Sequence, residues 1–199
     1  MVQAYSLARF FILRQRFLLE IGQYLPEQGR VLDVGCGFGL FALYFAQLHP
    51  GVQVHGIDLK PERIELARRA AERLGLTNVT FDVGKAQDFR RGGKYAAIYT
   101  LDMIHHLARP DVAGLIEELR ESLEDGGTLL VKDVDTQPAY KRWYTHALDL
   151  LVDPACPPDY WSAEQFLELA TGLGFDVKQH AMVDVLPYPH MLYVCRKLG

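Results

Sequence analysis

The chain has 199 residues, 49% of them hydrophobic, with 21 Lys and Arg against 25 Asp and Glu and a formal net charge of −4. This profile excludes a disordered or fibrous chain, because a sequence of this length buries roughly 70% of its unfolded surface and holds a core without disulfides or structural metal. It also supplies no global positive field, so no nucleic-acid partner is expected.

Residues 1–25 are apolar with Arg9, Arg14 and Arg16 interspersed and no small-residue cleavage site after them. They predict an amphipathic helix lying on the domain, neither a signal peptide nor a membrane span, with Tyr5 and Arg9 as candidate lid residues over a site. From there, β-branched runs alternate with helical patterns, which predicts a parallel sheet. Arg30 to Val34 is the first strand, and Leu40 to Leu48 a helix opened by glycines. Val52 to Ile57 is the second strand, ended by Asp58. Pro61 opens the next helix, whose buried face is Ile64, Ala67, Ala71 and Leu74 and whose stop is Gly75. Asn78 to Val83 and Tyr95 to Leu101 are the third and fourth strands, and Pro110 begins a helix striped by Val112, Leu115, Ile116, Leu119 and Leu123. The turn Asp125-Gly126-Gly127 leads to a fifth strand, Thr128 to Val134.

Here the rhythm breaks. Residues 136–163 carry a second amphipathic helix and a proline-rich loop before a helix from Ala163 to Thr171 and two last strands, Phe175 to Met182 and Met191 to Arg196. The expected organisation is one domain: a helical lid over 1–25, a ligand-binding core over 30–134, a substrate-side insertion over 136–163 and the end of the sheet over 163–199. Ligand crevices in open α/β sheets lie at the carboxyl ends of the strands, so an insertion leaving that edge is placed to cover a site. In its helix Tyr140, Trp143, Tyr144, Ala147, Leu148 and Leu151 share a stripe read first as core, while Lys141 and Arg142 are candidates for an acidic group on a substrate.

The most informative segment is Val31 to Leu40, VLDVGCGFGL, where a strand runs through Gly35-x-Gly37-x-Gly39 into a helix. Glycines allow close backbone approach, and the helix end presents N–H groups and a positive dipole. A dinucleotide fingerprint places its third glycine at position 40, which is Leu40 here. Asp33 lies two residues before the first glycine, where a carboxylate repels a pyrophosphate and favours an ammonium or sulfonium. Asp58, at the end of the second strand, is placed to take both hydroxyls of a ribose. Together these features specify an adenosine whose tail is cationic.

VLDVGCGFGLFALYFA followed by VHGIDLKPERIELARRAAERLGL resembles the Rossmann-like class of S-adenosylmethionine-dependent methyltransferases, over Arg30 to Val134. The resemblance implies a doubly wound, seven-stranded, mostly parallel α/β sheet with an antiparallel last strand, and S-adenosylmethionine as cofactor. It implies that Gly35, Cys36, Gly37 and Gly39 line the methionine and ribose, Asp33 helps place the amino end, Asp58 holds the ribose, Leu59 lies against adenine, and Thr100 and Leu101 sit near the methionine. YTLDMIHHLARP resembles the motif after the fourth strand, with Asp102 to His106 on the acceptor side. Two positions depart from the family. Lys85 stands where an acid accepts from the adenine amino group, leaving that contact to Ala86 or Asp88, and Ala96 replaces an acid near the start of the fourth strand.

Methyl transfer requires an aligned acceptor and often its deprotonation, which suits histidine. His105, with Asp102, is the candidate catalytic pair. His106, His190, Tyr5, Tyr140, Arg142 and Tyr144 are candidate substrate contacts, and His146, like His190, is a further histidine that could reach the catalytic edge. Adjacent histidines are expected to point apart. No metal-ligand set is apparent, Asp133 and Asp135 reading as solvated or substrate-facing. Cys36, Cys156 and Cys195 show no C-x-x-C spacing and fit a reducing cytoplasm. The expected activity is therefore methyl transfer to a phenolic, lipid-like or carrier-bound small molecule. The alternatives are a cofactor-binding regulatory or scaffold protein, a tRNA or protein methyltransferase, and, third, a nicotinamide oxidoreductase.

Overall fold

The structure, a computed structural model, describes residues 15–85, 93–152, 158–182 and 189–199. The elements run α1 (Gln15–Gly22), β1 (Gly29–Val34), α2 (Leu40–Leu48), β2 (Val52–Asp58), α3 (Pro61–Leu74), β3 (Val79–Val83), β4 (Tyr95–Leu101), a single 3₁₀ turn (Ile104–His106), α4 (Arg109–Ser122), β5 (Leu123–Val134), α5 (Ala139–Val152), α6 (Ala163–Gly172), β6 (Phe175–Ala181) and β7 (His190–Lys197). They form a seven-stranded sheet in the order β3-β2-β1-β4-β5-β7-β6. β1 to β5 pair in parallel, and β7 runs antiparallel to both β5 and β6. The strand order reverses between β1 and β4, so the loops leaving those two strands open onto one crevice.

Two apolar layers cover the sheet. On one face Val31, Val54, Ala97 and Tyr99 pack under α2 and α3 with Phe45, Ala42, Ile64 and Ala67, and α1 joins them through Leu18 and Ile21. On the other, Leu32, Ile98, Leu129 and Val131 pack against Val112, Ile116 and Leu119 of α4 and Phe166 and Ala170 of α6. β4 is buried along nearly its whole length, which is why its sequence is almost uninterruptedly apolar. Local chemistry sets several boundaries. Pro61 opens α3 and Gly75, at φ 66°, closes it. Ser162 and Gln165 cap α6 reciprocally through backbone and side chain.

Two expectations change. β5 begins at Leu123, not Thr128, because Leu123 pairs with Tyr95 before the register shifts to Ala97 opposite Thr128. The Asp125-Gly126-Gly127 turn is therefore an irregularity within the strand, with Gly126 at φ 72° and Lys197 Nζ holding the Leu123 carbonyl at 2.9 Å. On α5, Tyr140 and Trp143 are 68% and 65% exposed, so this end of the expected core stripe faces outward. Among the described residues no helix is long and apolar enough to cross a membrane.

Gly39 is where fold and site meet. At φ 78°, a Cβ there falls 2.7 Å from both Ala67 Cβ and Phe81 Cζ. Gly39→Ala is expected to lower unfolding free energy by about 2–4 kcal/mol, through left-handed strain and overpacking together. Chemical denaturation checks this, and a loss under about 0.5 kcal/mol contradicts the packing role.

Candidate active site

The loop between β1 and α2 is held from below and from the side. The N–H groups of Gly35 and Cys36 both donate to the Ile57 carbonyl, each at 2.9 Å. Asp58, mostly buried at the end of β2, accepts from Gly37 N–H at 3.0 Å through Oδ2 and from Lys60 N–H at 2.9 Å through Oδ1. Arg63, lying over the Phe38 ring at 5.5 Å, approaches the same carboxylate at 3.7 Å. One acid thus organises the loops after both β1 and β2 while its remaining lone pairs stay available to a ligand.

The three glycines do different work. Gly35, Gly37 and Gly39 all have positive φ, at 75°, 57° and 78°. A Cβ on Gly37 meets nothing within 4 Å, so the loop opens there to a ligand. A Cβ on Gly35 falls 2.9 Å from Met103 Cγ, so Gly35 lets the turn after β4 close against the loop. Gly39 faces the core. Cys36 is buried, with its Sγ 3.8 Å from the Gly37 carbonyl, and burial pushes its thiol far up, out of the reactive range. No side chain caps the N-terminus of α2, and the Thr100 hydroxyl at the end of β4 is buried without a hydrogen-bond partner among the described residues. An open glycine, an uncapped helix end, an orphaned hydroxyl and an acid with spare lone pairs fit a nucleoside with a polar tail.

Asp33 is placed differently from the expectation of a carboxylate facing a cation. It is 2% exposed beneath the loop and accepts from the Tyr99 hydroxyl at 3.1 Å. Burial pushes its carboxyl up to about 8, the charge of Asp58 adds to the rise, and the Tyr99 hydroxyl and Ala42 backbone oppose it. Burial therefore favours the protonated form of the Asp33 carboxyl. Of the other residues expected around the cofactor, Leu101 is buried, Leu59 is exposed beyond Asp58, Lys85 is exposed beyond β3, and Ala86 lies outside the described residues, as does Asp88.

The acceptor edge is built by the exits of β4 and β5. His105, buried in the 3₁₀ turn, is gripped by Asp133: its backbone N–H donates to Oδ2 at 3.2 Å, and its Nδ1 makes a short bond to Oδ1. Asp133 also accepts from Val134 N–H at 2.7 Å. The carboxylate at His105 is thus Asp133, and the expectation that Asp133 is solvated or substrate-facing is overturned. Asp102 is instead ion-paired with Lys132, whose side chain is fully buried. Lys132 and Asp133 escaped attention as a pair, although two charges inside the apolar run TLLVKDV of an interior strand require partners and could have signalled the site.

The rings of His105 and His106 do not point apart. Their centroids lie 4.1 Å from one another, because a 3₁₀ turn sets successive side chains about 120° apart instead of alternating them. His106 is exposed. Tyr160, also missed from sequence, packs between His105 at 5.7 Å and His146 at 6.1 Å, and Asp159 N–H donates to the His105 carbonyl at 2.8 Å. Arg109 holds that segment through Asp159 at 3.1 Å and the Tyr160 carbonyl at 3.2 Å. His190 is buried at the start of β7, opposite Val134. Arg142 lies 5.9 Å from the exposed Trp143 ring. Tyr140 is on the outer face of α5, the side chain of Tyr144 is not described, and Tyr5 and Arg9 lie outside the described residues. No group of three or more metal-ligating side chains occurs among the described residues.

Comparison with known proteins bears on the family and the fold. A family model described as "Methyltransferase domain" matches residues 7–180. A ubiquinone biosynthesis O-methyltransferase of Xanthomonas axonopodis pv. citri (strain 306) is 34% identical over 116 residues, 57% of this chain and 46% of that protein. The chain thus matches less than half the length of that relative. Among solved structures, an O-methyltransferase family protein from Burkholderia thailandensis superimposes with a TM-score of 0.75 at 17% identity, over 92% of this chain and 56% of that one. Magnesium protoporphyrin IX methyltransferase from Synechocystis PCC 6803 with bound SAH gives 0.72 at 17% identity, over 92% and 82%.

The Asp33 carboxyl makes stability depend on pH. Its folded value of about 8 lies above the ordinary 3.8, so the stabilisation is complete below about pH 4 and is lost as pH rises through 8. The thermal midpoint of the ligand-free protein is expected to fall between about pH 5 and 8, and Asp33→Asn, which has nothing to ionise, to flatten that slope. Parallel slopes in the two proteins contradict the assignment.

Proposed function

The chain belongs to the methyltransferase-domain family, and from that premise we propose that it transfers a methyl group from S-adenosylmethionine to a hydroxyl of a small-molecule acceptor. The observation that carries this reading is the Asp133–His105 pair at the exits of β5 and β4, beside the glycine loop. When bound, S-adenosylmethionine supplies the methyl as an electrophile on a positively charged sulfur. Asp58 and the Gly37 opening would hold its ribose, Thr100 and Leu101 would flank its methionine, and Leu59 would lie by its adenine. The amino end would draw the buried Asp33 into its ionised form.

His105 is the base. With Nδ1 held by Asp133, the Nε2 side of the ring would take the acceptor's proton. Asp133 then stabilises the imidazolium, as a buried carboxylate does in a catalytic triad. An apolar or aromatic acceptor of phenolic, lipid-like or carrier-bound type suits the Tyr160 and His146 rings, and the relatives named for ubiquinone biosynthesis support an O-methyl product. In this reading His190 and Arg142 would contact the acceptor, with residues 1–25 serving as lid, 30–134 as cofactor core, 136–163 as substrate-side cover and 163–199 as the end of the sheet. The described cysteines, Cys36 and Cys195, are free and buried, which suits a reducing cytoplasm.

A second reading is a cofactor-binding protein without catalysis, favoured by the near-complete burial of His105 and by Lys85 in place of an acid. Calorimetric titration with S-adenosylhomocysteine and with NAD, followed by transfer of labelled methyl to extracted metabolites, separates the readings. Binding of the first alone with label transfer is expected. Binding without transfer supports the second reading, and binding of NAD alone contradicts both.

Asp133→Asn keeps the shape of the pair and removes the charge that favours the imidazolium. Its kcat is expected to fall by about 10² to 10⁴, with S-adenosylhomocysteine affinity within about three-fold of the parent. Unchanged turnover contradicts the assignment of His105 as base.

A further inference from the structure

We propose that Lys132 and Asp102 form a positioning latch that sets the turn after β4, so that one rigid turn closes against the cofactor loop and delivers His105 to Asp133. Neither residue then acts on the acceptor. The inference goes beyond the reading of the site as a methyltransferase centre and rests on it only for the identity of the cofactor.

Asp102 is the one non-glycine residue with positive φ among those described, at 54°. Aspartate tolerates that region better than most residues, yet the conformation still has to be held by its surroundings. Lys132 supplies both holds. Its backbone carbonyl accepts from Asp102 N–H at 2.8 Å, and its ammonium pairs with the Asp102 carboxylate. Lys132 is fixed in turn, because it sits in β5 opposite Leu101 of β4 and Leu192 of β7. A lysine there is costly to desolvate, and an apolar residue would fill an interior strand better, so a turn-setting role explains its presence.

The residues just after Asp102 are the ones the latch controls. Met103, its immediate neighbour, occupies the space a Cβ on Gly35 would need. Two residues further, His105 meets Asp133 through both its backbone and its ring. The left-handed kink at Asp102 therefore sends one residue toward the cofactor loop and another toward the base's partner.

The test separates the backbone role from the charge. Lys132→Met removes the ammonium paired with Asp102. Asp102→Gly added to it removes the carboxylate and relieves the left-handed backbone, whereas Asp102→Ala added to it removes the carboxylate but keeps the backbone penalty. All four proteins are followed by thermal midpoint, by calorimetric affinity for S-adenosylhomocysteine, and by the downfield Nδ1 proton resonance of His105 in its bond to Asp133. Lys132→Met and Lys132→Met/Asp102→Ala are expected to bind roughly ten-fold or more weakly and to lose that resonance. Lys132→Met/Asp102→Gly is expected to return to within about three-fold of the parent and to regain it. Equal behaviour of the glycine and alanine doubles, or parent-like Lys132→Met, overturns the latch. If the parent itself fails to bind S-adenosylhomocysteine, the cofactor reading fails, and the His105 resonance still decides the latch.

Discussion

The carboxylate of Asp58 is the constraint on which the site depends. It reaches from the end of β2 to the backbone of two different loops, Gly37 N–H at 3.0 Å and Lys60 N–H at 2.9 Å. Hydrogen bonds from backbone N–H groups to a carboxylate are among the stronger ones a protein makes. They offset the conformational cost of a loop that passes through three positive-φ glycines. With the loop fixed, Gly37 opens outward, Gly39 seats against Ala67 and Phe81, and Gly35 leaves room for Met103.

The two halves of the crevice solve opposite electrostatic problems. Beneath the glycine loop, burial pushes the Asp33 carboxyl up and the charge of Asp58 adds to the rise. On the acceptor side three acids each have a cation or an imidazole in contact: Asp102 with Lys132, Asp133 with His105, and Asp159 with Arg109. The first arrangement leaves negative charge to be developed by a cationic ligand. The second leaves these acids as holders of other groups, among them an imidazole whose ring is fixed by Asp133. Arg109 extends that support by tying the segment carrying Asp159 and Tyr160 onto the turn.

How much of this was legible in the sequence depended on whether the cause was local. The boundaries of α3 follow from Pro61 and Gly75, β4 announces itself as a strand buried on both faces, and the glycine turn reads as the tight loop between β1 and α2 that Asp58 braces at Gly37. The start of β5 does not, because it is set by the pairing of Leu123 with Tyr95, 28 positions apart in the chain. The same holds for Asp133, whose partner His105 is also 28 residues away, and for Asp33, whose protonation depends on burial that no local pattern reveals. Tyr140 and Trp143 lie on a regular helical stripe, but periodicity tells only that residues share a face, never what covers it. Lys132 and Asp133 carried a usable signal: charges in an interior strand are expensive, so each had to answer to a partner.

The most direct test is a crystal structure of the protein with S-adenosylhomocysteine. The account predicts the ribose hydroxyls within hydrogen-bond distance of Asp58, the nucleoside crossing the open side of Gly37, and the sulfur directed toward the turn that carries His105. A nucleoside bound elsewhere, or an Asp58 carboxylate contacting only its own loops while the ligand occupies the crystal, contradicts it.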